Sequence, residues 1–166
     1  FKWKKAANAS GYKIYRRTGN SSKWVNIATV SGSNTLVYTD GSVKAGTMYT
    51  YTVRAYKGSA LSAYNKNGSR IVRLTAPVQY KPSSKASGKL TVRWKKAVGA
   101  SGYQIQYAAS RSMRGARTVS TSALTRTLSG LKKGSTYYVR IRAYKKVSGK
   151  TYYGAWSSVK NVKVRK

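Results

Sequence analysis

Arg140 and Arg142 lie two positions apart, with Tyr138 before them, Tyr144 after them and the apolar Val139, Ile141 and Ala143 between. Alternate residues of an extended chain point to one face, so this spacing predicts a row of two guanidinium groups between two phenol rings. Gln104 and Gln106 alternate with Tyr103, Ile105 and Tyr107 in the same way, and Lys163 and Arg165 continue the pattern near the end of the chain. An Arg fork grips a phosphate or carboxylate at two points, and a Tyr ring can lie against a sugar or base. The chemistry expected of Gln104, Gln106, Tyr138, Arg140, Arg142, Tyr144, Lys163 and Arg165 is therefore polyanion binding. A plainer reading competes with it: any solvated sheet face must be polar, and these residues would compose one.

Catalytic groups are scarce. Of 166 residues, 34 are Lys or Arg and one, Asp40, is acidic; there is no His and no Cys, and the formal net charge is +33. A hydrolase built on paired carboxylates needs a second acid, Ser-His-Asp and Cys-His systems need an imidazole, and zinc sites of the Cys/His type lack their ligands. Lys, Tyr, Ser and Thr remain, so no enzymatic activity, metal or cofactor is expected. Asp40 precedes Gly41 and reads as a turn residue. Charged residues make up 21% of the chain, against roughly 25% in ordinary domains, so the anomaly is missing acid rather than surplus base. A particle of this charge repels itself, and its compact state should gain from salt or a bound polyanion.

The elements that would position these residues are strands. Hydrophobic residues are 40% of the chain and Tyr alone supplies 15 positions, too apolar for a disordered basic tail. Leu90, Val92 and Trp94 alternate with Thr91, Arg93 and Lys95, the period-two signature of strands with one face buried. Stretches such as Thr18-Gly19-Asn20-Ser21-Ser22, Ser31-Gly32-Ser33-Asn34, Asp40-Gly41-Ser42 and Val147-Ser148-Gly149-Lys150 supply turns at short intervals. No segment has helical periodicity, and no apolar run approaches the ~20 residues that cross a bilayer, so no membrane insertion is expected.

Two copies of one unit are present. Trp3-Lys4-Lys5-Ala6 and Ser10-Gly11-Tyr12-Lys13-Ile14 recur 91 positions later as Trp94-Lys95-Lys96-Ala97 and Ser101-Gly102-Tyr103-Gln104-Ile105. Gly46-Thr47-Met48-Tyr49 and Arg54-Ala55-Tyr56 recur 88 positions later as Gly134-Ser135-Thr136-Tyr137 and Arg142-Ala143-Tyr144. The first copy thus presents Lys13, Tyr15, Arg54 and Tyr56 where the second has its Gln, Arg and Tyr row. Neither Trp24 nor Trp156 repeats between the copies, and Trp156 is expected to pack at an edge.

Each copy resembles a fibronectin type III domain, in particular the Tyr-, Lys- and Gly-rich kind of Gram-positive bacterial surface or secreted proteins. The resemblance rests on Trp3 and Trp94, on Tyr12 and Tyr103, and on Leu131-Lys132-Lys133-Gly134-Ser135-Thr136-Tyr137, with Val43 in place of the Leu in the earlier copy. It implies an all-β chain of two immunoglobulin-like antiparallel β-sandwiches, with the Trp buried and Tyr49 and Tyr137 bonded back to the preceding corner. The boundary is expected near Thr75-Ala76-Pro77, giving domains 1–76 and 77–166. Trp94 follows Val78 by 16 positions, whereas only two residues precede Trp3, so the first domain is expected to lack its first strand, which either lies upstream in a longer chain or is donated by another molecule.

The function implied is a non-catalytic spacer or structural element of a secreted or cell-surface protein or fibre, with neighbouring domains of the same chain as partners and homotypic assembly as a further one. The alternative is adhesion to wall teichoic acid, acidic host glycan or extracellular nucleic acid, the last only non-specifically, because the chain resembles no nucleic-acid-binding module.

Overall fold

A computed structural model describes all residues, 1–166, and divides into two compact units, Phe1–Arg73 and Leu74–Lys166. The division falls slightly before the expected 76/77 boundary, for a packing reason. Arg73 is still bonded within the first unit, its N–H to the Thr47 carbonyl and its carbonyl to the Gly46 N–H, while Leu74 is buried and packs against Gly154 of the second. The chain contains strands and no helix.

In the first unit, β1 (Gly11–Thr18), β2 (Val25–Ser31), β3 (Met48–Lys57), β4 (Ala60–Leu61) and β5 (Ser69–Val72) form one antiparallel sheet in which β1 lies between β2 and β3. A register shift between Ile14 and Tyr15 leaves Ile27 as an extra residue on β2, which bends against β1. The core gathers Tyr12, Ile14, Tyr49 and Tyr51, with Phe1, Trp3, Ile27, Val30, Tyr38 and Val43 half-buried among the residues packed against Ile14, Tyr49 and Tyr51. Opposite the sheet, Lys2 bridges Val37, and the N–H groups of Trp3 and Tyr38 reach the carbonyls of Leu36 and Phe1.

In the second unit, β6 (Leu90–Arg93) pairs with β9 (Thr125–Leu128). A larger sheet joins β7 (Gly102–Ala108), β8 (Arg117–Thr121), β10 (Thr136–Val147), β11 (Lys150–Tyr153) and β12 (Lys160–Lys163). Gln79 and Ser83 add bridges to Trp94 and Thr91, so a stretch of chain before β6 lines its outer edge. The alternation expected from the sequence is the observed one: Leu90, Val92, Trp94, Ile105, Val139, Ile141 and Ala143 are buried, and their polar neighbours face out. Between β10 and β11, Ser148 and Gly149 both take positive φ, 46° and 76°, the backbone of the tight hairpin turns that match strand twist.

The repeated motifs do the same work twice. Trp3 packs on Tyr12 and Trp94 on Tyr103 at centroid distances of 5.4 and 5.3 Å. The Ala6 and Ala97 N–H groups donate to the Tyr12 and Tyr103 hydroxyls at 3.1 and 2.9 Å, and those of Lys44 and Lys132 donate to Tyr49 and Tyr137 at 2.9 and 3.3 Å. The two tryptophans differ in burial: Trp94, which Gln79 bridges, is 2% exposed, whereas Trp3 is half-buried.

Candidate anion-binding face

The strands bring seven of the eight expected residues to one side of the second unit's sheet. Register places Arg140 opposite Gln106 and Arg142 opposite Gln104, with Tyr138 and Tyr144 on the same face at either end. Each pair is closed by a hydrogen bond: Arg140 Nε donates to Gln106 Oε1 at 2.7 Å, and Arg142 Nε to Gln104 Oε1 at 2.8 Å. Lys163 pairs with Thr136 and so extends this face beyond Tyr138. Arg165 lies past the end of β12, where its N–H is held by Ser84 Oγ and its guanidinium reaches the Lys85 carbonyl at 3.1 Å; it is not gathered with the others.

Two residues outside the expected set complete the arrangement. Trp156 lies against both arginines, 4.7 Å from the Arg140 guanidinium carbon and 4.4 Å from that of Arg142, and Tyr153 takes the Arg142 guanidinium at 4.0 Å. Tyr153 in turn meets Tyr144 edge-on at 6.1 Å. The row is a stack of alternating rings and cations, each contact of the kind that contributes ~0.5–2 kcal/mol.

A bulge places Trp156. The Gly154 N–H donates to the Ala143 carbonyl and the Ser157 N–H to that of Ile141, so three steps on one strand face two on the other and one residue is extruded. Ser157, itself buried, locks the bulge by accepting from the Ile141 N–H and donating to Gln79 Oε1 at 3.0 Å. The first unit places a different ring at the corresponding position. Ser62 donates to the Ala55 carbonyl as Gly154 does to that of Ala143, which makes Tyr64 the structural counterpart of Trp156, and Arg54 lies over Tyr64 at 5.4 Å. Trp24 meets Tyr64 edge-on and carries Arg17 on its ring at 4.8 Å. The sequence offset hid this equivalence because the loops between the matched segments differ in length.

The repeated Ser-Gly-Tyr also acquires a cause. A side-chain carbon on Gly102 would run into the Tyr144 hydroxyl, and one on Gly11 would come within 2.7 Å of the Tyr56 hydroxyl. Each glycine is the floor on which the terminal Tyr of the row lies.

Asp40, the lone acid, is fully engaged. Its Oδ2 accepts from Arg16 Nη1 at 2.7 Å and from the Tyr51 hydroxyl at 2.8 Å, and its Oδ1 from the Ser42 N–H and hydroxyl at 2.9 and 2.7 Å. Burial by itself would raise its pKa, but the hydrogen bonds from Ser42, Tyr51 and Arg16 prevail and lower it from 3.8 to about 2. Burial and the neighbouring carboxylate push the Tyr51 phenol up. Asp40 is a turn residue, as expected, and also the anchor of a buried network that the turn alone did not foretell.

A family model described as fibronectin type III domain matches residues 75–160. Among solved structures, the crystal structure of chicken CNTN1 FN1-FN3 domains aligns with 94% of this chain at 22% identity and a TM-score of 0.47, and the chain spans 56% of that one. No curated protein sequence matches. No helix is long and apolar enough to cross a membrane.

Proposed function

Because the chain belongs to the fibronectin type III family, a family of structural and adhesion-type modules, we propose that it is a tandem pair of such modules, serving as a non-catalytic spacer and presentation element in a longer secreted or surface-attached bacterial protein. One observation carries this reading: the groups best suited to chemistry are spent on the fold. Asp40 is saturated by four hydrogen bonds, and Arg140 and Arg142 are stacked on rings and tied to glutamines.

The test is replacement. Exchanging both modules, within the parent protein, for an unrelated β-sandwich pair of the same length should leave surface display and the activity of the neighbouring domains intact. Loss of either would overturn the spacer role.

A second reading, adhesion to anionic wall or host polymers, is favoured by the charge of +33 against one acid. In that case the replacement protein would be displayed but would no longer adhere to acidic polymers in low salt.

A further inference from the structure

A cleft of about 390 Å³ opens in the second unit, lined by Lys81, Arg111, Tyr138, Val159, Lys160 and Asn161. Three separate stretches of chain bring its cations together. Lys81 falls between Gln79 and Ser83, the two residues that bridge to Trp94 and Thr91. Arg111 stands in the loop after β7, and Lys160 and Asn161 open β12 opposite Val139 and Tyr138.

Each stretch is held independently of any ligand. Gln79 and Pro82, flanking Lys81, are buried. The Arg111 loop closes on itself, Met113 N–H to the Ser110 carbonyl at 3.0 Å and Ala116 N–H to the Met113 carbonyl at 3.2 Å. Met113 adopts a left-handed φ of 63° and buries its side chain, an uncommon backbone state that pins the loop to the core. In contrast to Arg140 and Arg142, which are stacked on Trp156, the three cations of the cleft carry no ring or carboxylate partner, and the only acidic side chain belongs to the other unit.

Like charges held together raise the free energy of the empty cleft, and a bound anion lowers it. Guanidinium and ammonium groups donate only, which suits a tetrahedral oxyanion. Tyr138 and Val159, the latter 38% exposed, also line the cleft, and such side chains beside the charges give a surface on which a sugar or polyol backbone can lie. We propose that this cleft binds a phosphate or sulfate ester carried on a sugar or polyol polymer, an inference that rests on the adhesion reading above and gives it a site.

The test uses the whole chain and three probes of matched charge: poly(glycerol phosphate), chondroitin sulfate and oligothymidylate. In amide NMR titrations at physiological salt, the first two should perturb residues 81, 111, 138, 160 and 161 before any others. The triple variant Lys81→Gln, Arg111→Gln, Lys160→Gln should bind ~10-fold more weakly or worse, while a control of equal charge, Lys95→Gln, Lys96→Gln, Arg126→Gln, should stay within ~2-fold of the parent. A preference between the first two probes identifies phosphate or sulfate as the source. Equal losses in both variants, or perturbations spread over the surface, overturn the cleft and leave general attraction standing. No binding of any probe by the parent chain overturns both. Tighter, cleft-dependent binding of oligothymidylate overturns the sugar or polyol assignment. The titration maps of the parent chain stand even where a variant loses its fold.

Discussion

The Tyr51 hydroxyl donates a 2.8 Å hydrogen bond to Asp40, tying the third strand of the first unit to the turn that precedes it. Arg16 of the first strand reaches the same carboxylate oxygen, so two neighbouring strands are fastened to one side chain whose exposure is only 8%. In a chain of 34 cations and one acid, this is the single salt bridge.

Replacing Asp40 with Asn should therefore destabilise the first unit far more than an exposed substitution would. The Arg16 guanidinium loses its counter-charge while it stays partly buried, and the expected cost is ~2–3 kcal/mol. Tyr51→Phe removes one hydrogen bond and should cost ~1 kcal/mol. Hydrogen exchange read separately for residues 1–73 and 74–166 would check that the loss is confined to the first unit.

Acid stability should report the same residue. Folding lowers the Asp40 pKa to about 2, so the unfolded chain binds its proton at a higher pH than the folded one. The stabilisation is present above the unfolded value of 3.8 and is lost as pH falls toward 2, amounting to about 2 kcal/mol. With no other acidic side chain in the sequence, denaturant midpoints of the first unit between pH 5 and pH 2 should fall for the parent chain and stay nearly flat for Asp40→Asn. An equally steep curve for the variant would rule the network out as the cause.

Gly102→Ala should be destabilising although the glycine's backbone needs no unusual φ. The added carbon meets Tyr144, and displacing that ring from the end of the stack should cost ~1–3 kcal/mol. Combining it with Tyr144→Ala should cost less than the sum of the single changes, and strict additivity in that double-mutant cycle would show that the ring does not depend on the glycine.

Trp156→Ala should remove three contacts at once: its own packing and both guanidinium stacks. The expected loss is ~2–4 kcal/mol for the second unit, with Trp156→Phe recovering part of it. Arg142→Lys keeps the charge but not the planar group or the Nε–H bond to Gln104, and should still cost ~1 kcal/mol in thermal unfolding.

Much of this architecture was legible in the sequence for a specific reason. Strand period and turn residues depend on neighbours within a few residues, and they put the Arg row on one sheet face; the family resemblance gave Trp94 as buried, but not its packing on Tyr103. What escaped was set by backbone irregularity. The extra residue between Gly154 and Ser157 turns Trp156 over the arginines, and loop-length differences concealed Tyr64 as its counterpart. The surroundings of the expected residues were likewise hidden, because alternation can place Arg140 and Arg142 outward but cannot show that rings and amides already engage them, nor that Ser84 and Lys85 hold Arg165. Lys81, Arg111 and Lys160 are 30 and 49 positions apart along the chain, and no local pattern joins them.

The burial of Asp40 also makes the chain an unusual substrate. A protease that cuts only at aspartate has one bond to attack, and in the native state that bond is guarded by the carboxylate's own hydrogen bonds to Ser42, Tyr51 and Arg16. Cleavage at this position would thus count openings of the first unit one at a time, whereas a protease that cuts after lysine or arginine would nick the exposed loops of both.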